Sequence, residues 1–179
     1  MQNTSESLTQ DDVFLGIDEE EEDTQADKYM TFRISAEVYG IGIWNIREII
    51  EMQEITGVPD VPPFVKGVIN LRGKVIPIVD LRLRFSMEER DYDSRTCIII
   101  TEIRKAMIGF IVDTVEEVVE IAQENIEPAP KFRSATGKDK YISGMGKIGD
   151  QVKILLDVER LLFEDEMGEI HQKIESTQA

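Results

Sequence analysis

Few side chains in this sequence are of the types that enzymes use for catalysis. The one histidine, His171, lies in a polar stretch near the C-terminus, and the one cysteine, Cys97, lies inside the apolar run TCIIITEI. Neither has a sequence neighbour that would activate it, and we expect a solvated imidazole and a small, buried thiol. A carboxylate pair is formally possible, for example Asp80 and Asp157. Because each follows a predicted strand, we expect turn or cap roles for both.

Metal and cofactor sites are equally hard to place. The sequence has no cluster of histidine and cysteine with the spacing of zinc ligands, and its acidic runs lack the spacing of a calcium loop. The glycine-rich segment SGMGKIGD, residues 143–150, lies between predicted strands, whereas phosphate-binding loops precede a helix. We therefore expect no catalytic residues, no cofactor and no metal, and a protein that is not an enzyme. A small carboxylate-dependent hydrolase is the alternative from another class.

One arginine is unexpected at its position. The stretch GVINLRGKVIPIVDLRLRF, residues 67–85, predicts a β-hairpin with Arg72 and Gly73 in the turn. A tight turn usually selects a small or polar residue there, and a matching turn later in the chain has Gly149. Arg72 either forms an ion pair that fixes the hairpin, with Glu48 as the expected partner, or contacts a partner at a binding surface. The two roles are compatible.

The elements that must position these residues are mostly strands. Short apolar or alternating runs, broken by Gly, Pro and Asp, recur from Lys28 onward and predict an all-β sandwich or barrel. Residues 43–52, IWNIREIIEM, fit both a helix and a strand. The stretch DVERLLFEDEMGEIHQKIES, residues 157–176, has an intermittent apolar stripe that predicts a C-terminal helix.

The chain also repeats itself. Residues 39–51 match 108–120, and residues 67–81 match 144–158, in the same order and without gaps inside either block. This predicts a duplication, with two small, similar barrels packed over a shared apolar seam because neither buries enough surface alone. The predicted halves are residues 28–90 and 91–165, followed by a C-terminal helix or tail over 166–179. The repeat gives sequence order only, so strand exchange between the halves stays open.

Charge separates the first 27 residues from the rest. The net charge is −16, and residues 1–27 hold ten acids and no Lys or Arg, leaving 26 acids against 20 bases elsewhere. Such a block favours a disordered acidic tail, either a solubilising or a partner-docking one. The charge argues against nucleic-acid binding and direct membrane contact. With no signal-peptide pattern and no long apolar run, we expect a cytoplasmic protein.

Taken together, several stretches resemble the CheW family of chemotaxis coupling proteins. They are YMTFRISAEVYGIGIWNIREI, VPPFVKGVINLRGKVIPIVDLRLRF, IGFIVDTVEEVVEI, IEPAP and YISGMGKIGDQVKILLDVERLL, in order from about Tyr29 to Phe163. The resemblance implies two packed, SH3-like, five-stranded β-barrels with some exchange of segments. It also implies a non-catalytic adaptor, monomeric when free, that couples chemoreceptors (methyl-accepting chemotaxis proteins) to the regulatory domain of the histidine kinase CheA.

The resemblance also implies which residues bind these partners. The receptor-binding residues would be Ile46, Glu48, Lys66, Gly67, Arg72, Gly109, Val118 and Gly144, and the kinase-binding residue would be Ile55. For Ile46 and Val118 the alternative is core packing, and for the glycines it is a turn or a close strand approach. The alternative function is the same module in a related pathway, such as one controlling pili or gliding, or a fragment of a larger coupling protein with a receiver domain.

Overall fold

The computed structural model describes residues 25–129, residues 138–162 and Ile174. Nearly all of the predicted acidic tail, His171 and, apart from Ile174, the predicted C-terminal segment 166–179 lie outside these residues. The strands are β1 (Lys28–Ile34), β2 (Glu37–Gly42), β3 (Ile46–Glu51), β4 (Val65–Leu71), β5 (Lys74–Asp80), β6 (Cys97–Ile103), β7 (Ala106–Val112), β8 (Thr114–Glu120), β9 (Ile126–Glu127), β10 (Ile142–Ile148) and β11 (Gln151–Leu156). The helices are α1 (Leu81–Arg84) and α2 (Val158–Leu161), with 3₁₀ turns at Ile43–Asn45, Gln123–Asn125 and Lys138–Tyr141.

These strands form two sheets, which confirms the predicted all-β fold with a short helix near its C-terminus. One sheet has the strand order β8-β1-β2-β11-β10-β9 and the other has the order β3-β6-β7-β5-β4. Most neighbouring strands are antiparallel, whereas β2 with β11 and β5 with β7 are parallel. The ambiguous stretch after β2 becomes a single 3₁₀ turn followed by strand β3, so its helical alternative is wrong.

Each sheet contains strands from both sequence repeats. Strand β3 comes from the first repeat but pairs with β6, where Glu48 faces Ile100. Strand β8 comes from the second repeat and pairs with β1, where Val118 faces Met30. The hairpin β1–β2 therefore lies in the sheet built mainly from the second half, and the hairpin β6–β7 lies in the sheet built mainly from the first half. Residue 90 separates two stretches of sequence, and each sheet contains strands from both.

Chain continuity brings the two edges of each sheet together. Beyond β3, Thr56 reaches the opposite edge of its sheet and exchanges two backbone hydrogen bonds of 2.9 and 2.8 Å with Val68 of β4. In the other sheet, β9 follows β8 and pairs with β10. Each sheet is thereby closed into a small barrel. We call the sheet that contains β1 barrel A and the sheet that contains β4 barrel B.

The main core lies between the barrels. Its aromatic rings stack in the order Phe32, Tyr39, Phe85 and Tyr141, with centroids 6.0, 5.4 and 5.8 Å apart. Phe32 and Tyr39 belong to barrel A, and Phe85 follows α1 at the end of β5 in barrel B. This shared cluster is the apolar seam that the duplication predicts, and its burial is the main force holding the barrels together.

Two pairs of matched residues show the duplication in local geometry. Asp80 caps α1 by accepting hydrogen bonds from the amides of Arg82 and Leu83, and Asp157 caps α2 by accepting one from the amide of Glu159. Both aspartates therefore have the cap role expected of them. The turn residues Arg72 and Gly149 have φ values of 50° and 57°, the left-handed conformation that hairpin turns of this length require.

The prediction for Cys97 was wrong in degree. Its side chain is only half-buried, because Cys97 pairs with Glu51 at the end of the edge strand β3, where the sheet stops. Partial burial still raises the pKa of its thiol.

Candidate interaction surface

The predicted ion pair between Glu48 and Arg72 is present. Arg72 Nη1 donates to Glu48 Oε1 at 3.1 Å and Nη2 contacts the other carboxylate oxygen, so the contact is bidentate. The turn that carries Arg72 is held by the Gly73 amide, which donates to Asn70 Oδ1 at 2.9 Å. Hydrogen bonding to Arg72 lowers the pKa of Glu48. Because the Arg72 side chain is 71 % exposed, the pair adds little stability and stays accessible to another molecule.

Glu48 lies in a row of residues that crosses barrel B. Gly67 pairs with Ile78, Ile78 with Gly109, Gly109 with Ile100, and Ile100 with Glu48. Directly paired residues point to the same face of a sheet. Here that face is the barrel interior, which is filled by isoleucines. Three of the predicted site residues, Gly67, Gly109 and Glu48, thus share one row, and Glu48 lies at its end on the edge strand β3.

The glycines of this row are needed for close packing. Gly67 has a φ of 144°, and a Cβ placed on it would lie 2.0 Å from the carbonyl oxygen of Thr56 and 3.0 Å from Ile55 Cγ2. A Cβ on Gly109 would lie 2.6 Å from Ile78 Cδ1. Both glycines are buried, so they shape barrel B and leave direct contact with a partner to other residues.

The remaining predicted residues lie at several places. Ile46 is partly buried against the main core, and Lys66 pairs with Glu89. Val118 is 48 % exposed on β8 of barrel A. Gly144 is buried on β10, where an added Cβ would lie 2.6 Å from Ile126 Cγ2.

The structure therefore brings together only part of the predicted receptor-binding set. On barrel B, Glu48 contacts Arg72, and Gly67 lies close to Ile55. Val118 and Gly144 belong to the other barrel, on strands β8 and β10.

Comparison with known proteins decides the family. A family model described as the CheW-like domain matches residues 28–166, which span both barrels. The chain belongs to the CheW family. It is 36 % identical to the chemotaxis protein CheW of Klebsiella aerogenes over 146 residues, covering 82 % of this chain and 87 % of the relative. It is 30 % identical to the CheW of Treponema pallidum, covering 79 % and 85 %.

A solved CheW structure shares the fold. It is the scaffolding protein TtCheW from Thermoanaerobacter tengcongensis, matched with a TM-score of 0.71 at 34 % identity over 79 % of this chain and 95 % of that one. The resemblance found in the sequence is thus confirmed, and with it membership in a family of chemotaxis scaffold proteins.

Sequence reasoning missed an exposed aromatic residue of this CheW-like chain. Trp44 is 51 % exposed and packs edge-on against Tyr29, with ring centroids 5.4 Å apart. It lies in the 3₁₀ turn between β2 of barrel A and β3 of barrel B, at the crossover between the barrels. Exposed tryptophan is enriched at protein interfaces. The available signal was the single tryptophan directly after a strand rather than within one.

A second group outside the prediction joins separate parts of the fold. Asp113, between β7 and β8, accepts hydrogen bonds from Arg82 Nε at 2.8 Å and Arg82 Nη2 at 2.6 Å, and from the Ser35 amide at 2.7 Å. Burial raises the pKa of this carboxyl, but the bonds from Arg82 and Ser35 lower it by more, so its net pKa is depressed. The network ties the β1–β2 turn to α1.

The carboxylates considered for catalysis have structural partners. Asp80, besides capping α1, accepts a hydrogen bond of 2.7 Å from the Tyr92 hydroxyl. Burial, followed by the bond to Asp80, raises the pKa of Tyr92.

Among the residues that the structure describes, no group of three or more His, Cys, Asp or Glu side chains is arranged to hold a metal ion. No helix in the same residues is long and apolar enough to span a membrane.

Proposed function

We propose that this chain is a non-catalytic adaptor that couples the cytoplasmic tips of chemoreceptors to the regulatory domain of the histidine kinase CheA. In this role it works in the cytoplasm, at receptor arrays, and holds the two partners without chemistry of its own. The observation that carries the proposal is the CheW-like match over both barrels, residues 28–166. The family's relatives carry the name of chemotaxis proteins.

The geometry supports receptor binding through a fixed ion pair on barrel B and apolar side chains on both barrels. Glu48 and Arg72 hold each other in one orientation, which reduces the entropy that a partner must remove on binding. The partly buried Ile46 lies two residues before Glu48, and Val118 offers a further exposed apolar side chain. A helical receptor tip can dock such a surface by its apolar face, with the charges fixing its register.

The other predicted residues divide into direct and indirect roles. Lys66 is available for direct contact with the receptor, and Ile55 with the kinase. The buried Gly67, Gly109 and Gly144 act on binding through the shape of the barrels.

The test is binding of the full chain to each partner separately. A soluble chemoreceptor signalling fragment and the CheA regulatory domain are titrated by calorimetry. We expect both to bind, and Arg72→Ala to weaken receptor association about tenfold, which is typical of an arginine near the centre of an interface. Because the Arg72 side chain is exposed, its loss should leave the unfolding transition unchanged.

Arg104→Ala is the matched control. Arg104 occupies a two-residue turn like that of Arg72, with a φ of 49°, and its side chain is 54 % exposed. We expect its replacement to leave both affinities unchanged. If Arg72→Ala binds the receptor fragment as tightly as the parent, the role of Arg72 is wrong. If the parent binds neither partner, the adaptor function is wrong.

A further inference from the structure

The two barrels differ at one buried position. Lys153 on β11 matches Ile76 on β5 in the sequence repeat. Ile76 is 1 % exposed in the apolar interior of barrel B, and Lys153 is 7 % exposed at the same place in barrel A. Lys153 lies two residues before the buried Leu155, so both point to the barrel interior. One barrel thus has a buried cation where the other has a buried hydrocarbon.

A smaller neighbour lies beside Lys153. On the adjacent strand barrel A has Val38, and barrel B has Met107 at the matching position. Lys153 also pairs with Gly146, whereas Ile76 pairs with Ile69, but the space above Gly146 is filled by Ile121, whose Cδ1 lies 2.6 Å from the place of a Gly146 Cβ. A cleft of about 460 Å³, a size typical of ligand sites in proteins, is lined by Val38 and Lys153.

The parallel pairing beside the cleft explains why it stays open. Strands β2 and β11 pair only at Tyr39 with Ile154 and at Gly40 with Leu155. Val38 and Lys153 each lie one residue before this pairing begins, where the two strands separate. The aliphatic side chains of Met145, Val152 and Ile154 line the same opening.

Lys153 has less hydrogen bonding than a buried ammonium group requires. Its Nζ donates to Gln151 Oε1 at 3.0 Å, a neutral acceptor. Within the residues that the structure describes, Lys153 forms no ion pair. A lysine ammonium has three N–H donors, and burying its charge is costly unless the group is paired. The remaining N–H donors of the Lys153 ammonium group face the cleft, which Lys153 lines.

The other charged groups of the cleft are already engaged. Glu37 accepts a hydrogen bond of 2.6 Å from the Tyr39 hydroxyl, and Arg33 Nε donates to Glu116 at 2.6 Å. Lys153 is therefore the cation that an incoming anion would meet, with Arg33 at the rim.

We propose that this cleft binds a carboxylate on an aliphatic chain. The carboxylate accepts hydrogen bonds from Lys153 Nζ, and the chain packs against Val38, which precedes Gly40 by two residues as Lys153 precedes Leu155 and therefore points to the same face. A charge-assisted bond to a desolvated ammonium is stronger than a neutral one, which favours a carboxylate over an amide. The site goes beyond the proposed adaptor function and does not depend on it.

The experiment is a titration of the ¹⁵N-labelled full chain, followed by amide chemical shifts. The probes are glutarate, its neutral analogue glutaramide, and the peptide acetyl-Val-Glu-Val-amide. We expect glutarate to shift the amides of Val38 and Lys153 with a Kd on the order of 1 mM, as one charged contact in a small site allows. Glutaramide should bind at least tenfold more weakly. A peptide that binds more tightly than glutarate identifies an acidic side chain as the ligand, and the reverse order identifies a free carboxylate.

Two variants test the role of the lysine. Lys153→Met removes the charge while keeping the length of the side chain, and should abolish the shifts. Lys74→Met, which removes an exposed lysine from barrel B, is the matched control and should bind like the parent. Val38→Met copies the residue of barrel B and should weaken binding by filling the cleft while Lys153 remains. This second variant decides the question if Lys153→Met does not fold.

Three results with the probes and with Lys153→Met would overturn the proposal, and a fourth concerns Val38→Met. They are the absence of shifts at the cleft with glutarate and peptide alike, equal binding of glutarate and glutaramide, and parent-like binding by Lys153→Met. Parent-like binding by a folded Val38→Met variant would also place the carboxylate elsewhere.

Discussion

Replacing Gly67 with alanine should open barrel B where its two edges meet. The added Cβ would lie 2.0 Å from the Thr56 carbonyl oxygen and 2.7 Å from its carbonyl carbon, distances that real Cβ atoms do not tolerate. The obstacle is backbone, so no rotamer change relieves it. Either the Thr56 segment leaves β4 or the bulge of β4 between Val65 and Gly67 rearranges.

Two contributions set the size of the effect. The φ of 144° at Gly67 is outside the range that an alanine adopts readily, and holding it costs about 1–3 kcal/mol. Displacing Thr56 loses its two backbone hydrogen bonds with Val68, each contributing about 0.5–1.5 kcal/mol. The free energy of unfolding should therefore fall by about 2–6 kcal/mol, a large part of the roughly 5–15 kcal/mol of an ordinary domain.

Urea unfolding followed by far-ultraviolet circular dichroism measures this loss. The control is Gly144→Ala at the matching position of barrel A. Gly144 lacks the positive φ, and its added Cβ would first meet the side-chain atom Ile126 Cγ2, at 2.6 Å. That side chain can move, so the loss should be clearly smaller than at Gly67. An unchanged midpoint for Gly67→Ala, or equal losses for the two variants, would refute this account of barrel closure.

Two further predictions concern Gly109 and Asp113. Gly109→Ala overfills the interior of barrel B against Ile78 and Ile98, and should lower the free energy of unfolding by about 1–3 kcal/mol, measured by urea unfolding; an unchanged free energy would contradict this close packing. The depressed pKa of Asp113 means that its ionised form stabilises the fold above its ordinary pKa of 3.8, and that this stability is lost as the pH falls through the lower, folded-state value. Asp113→Asn should therefore lower the unfolding free energy near pH 7 by about 1–3 kcal/mol and flatten its decline in acid, measured by urea unfolding at a series of pH values; an unchanged pH profile would contradict this.

Local features of the fold were predictable from the sequence. The hairpin turn at Arg72 and the caps at Asp80 and Asp157 depend on residues close in sequence. Turn geometry and capping follow from local chemistry, so the residue types were sufficient.

The pairing of distant strands was not predictable in the same way. A repeat gives the order of β3 and β8 but not the sheet that each joins, because both choices bury the same apolar residues. The half-exposure of Cys97 has the same origin, since it depends on which strand lies at the sheet edge.

The candidate surfaces were predictable only in part. The family resemblance supplied the positions of Glu48, Arg72 and Val118, but only packing shows that Gly67 and Gly109 lie inside barrel B. The cleft at Lys153 needed the structure as well. In the run QVKILL a lysine among apolar residues would ordinarily be assigned to the solvent face.

The exchange of hairpins between the two halves has a consequence for synthesis on the ribosome. Strands β3 to β5 of barrel B are made early, but its central strands β6 and β7 are complete only when residue 112 has emerged. Barrel A lacks β11 until residue 156 has emerged. The β1–β2 and β4–β5 hairpins can form early, but β1, β2, β3 and β5 each lack one final neighbour while the second repeat is translated. Both barrels are therefore completed late, and a nascent chain stalled near residue 90 should remain sensitive to protease, whereas one released after residue 162 should not.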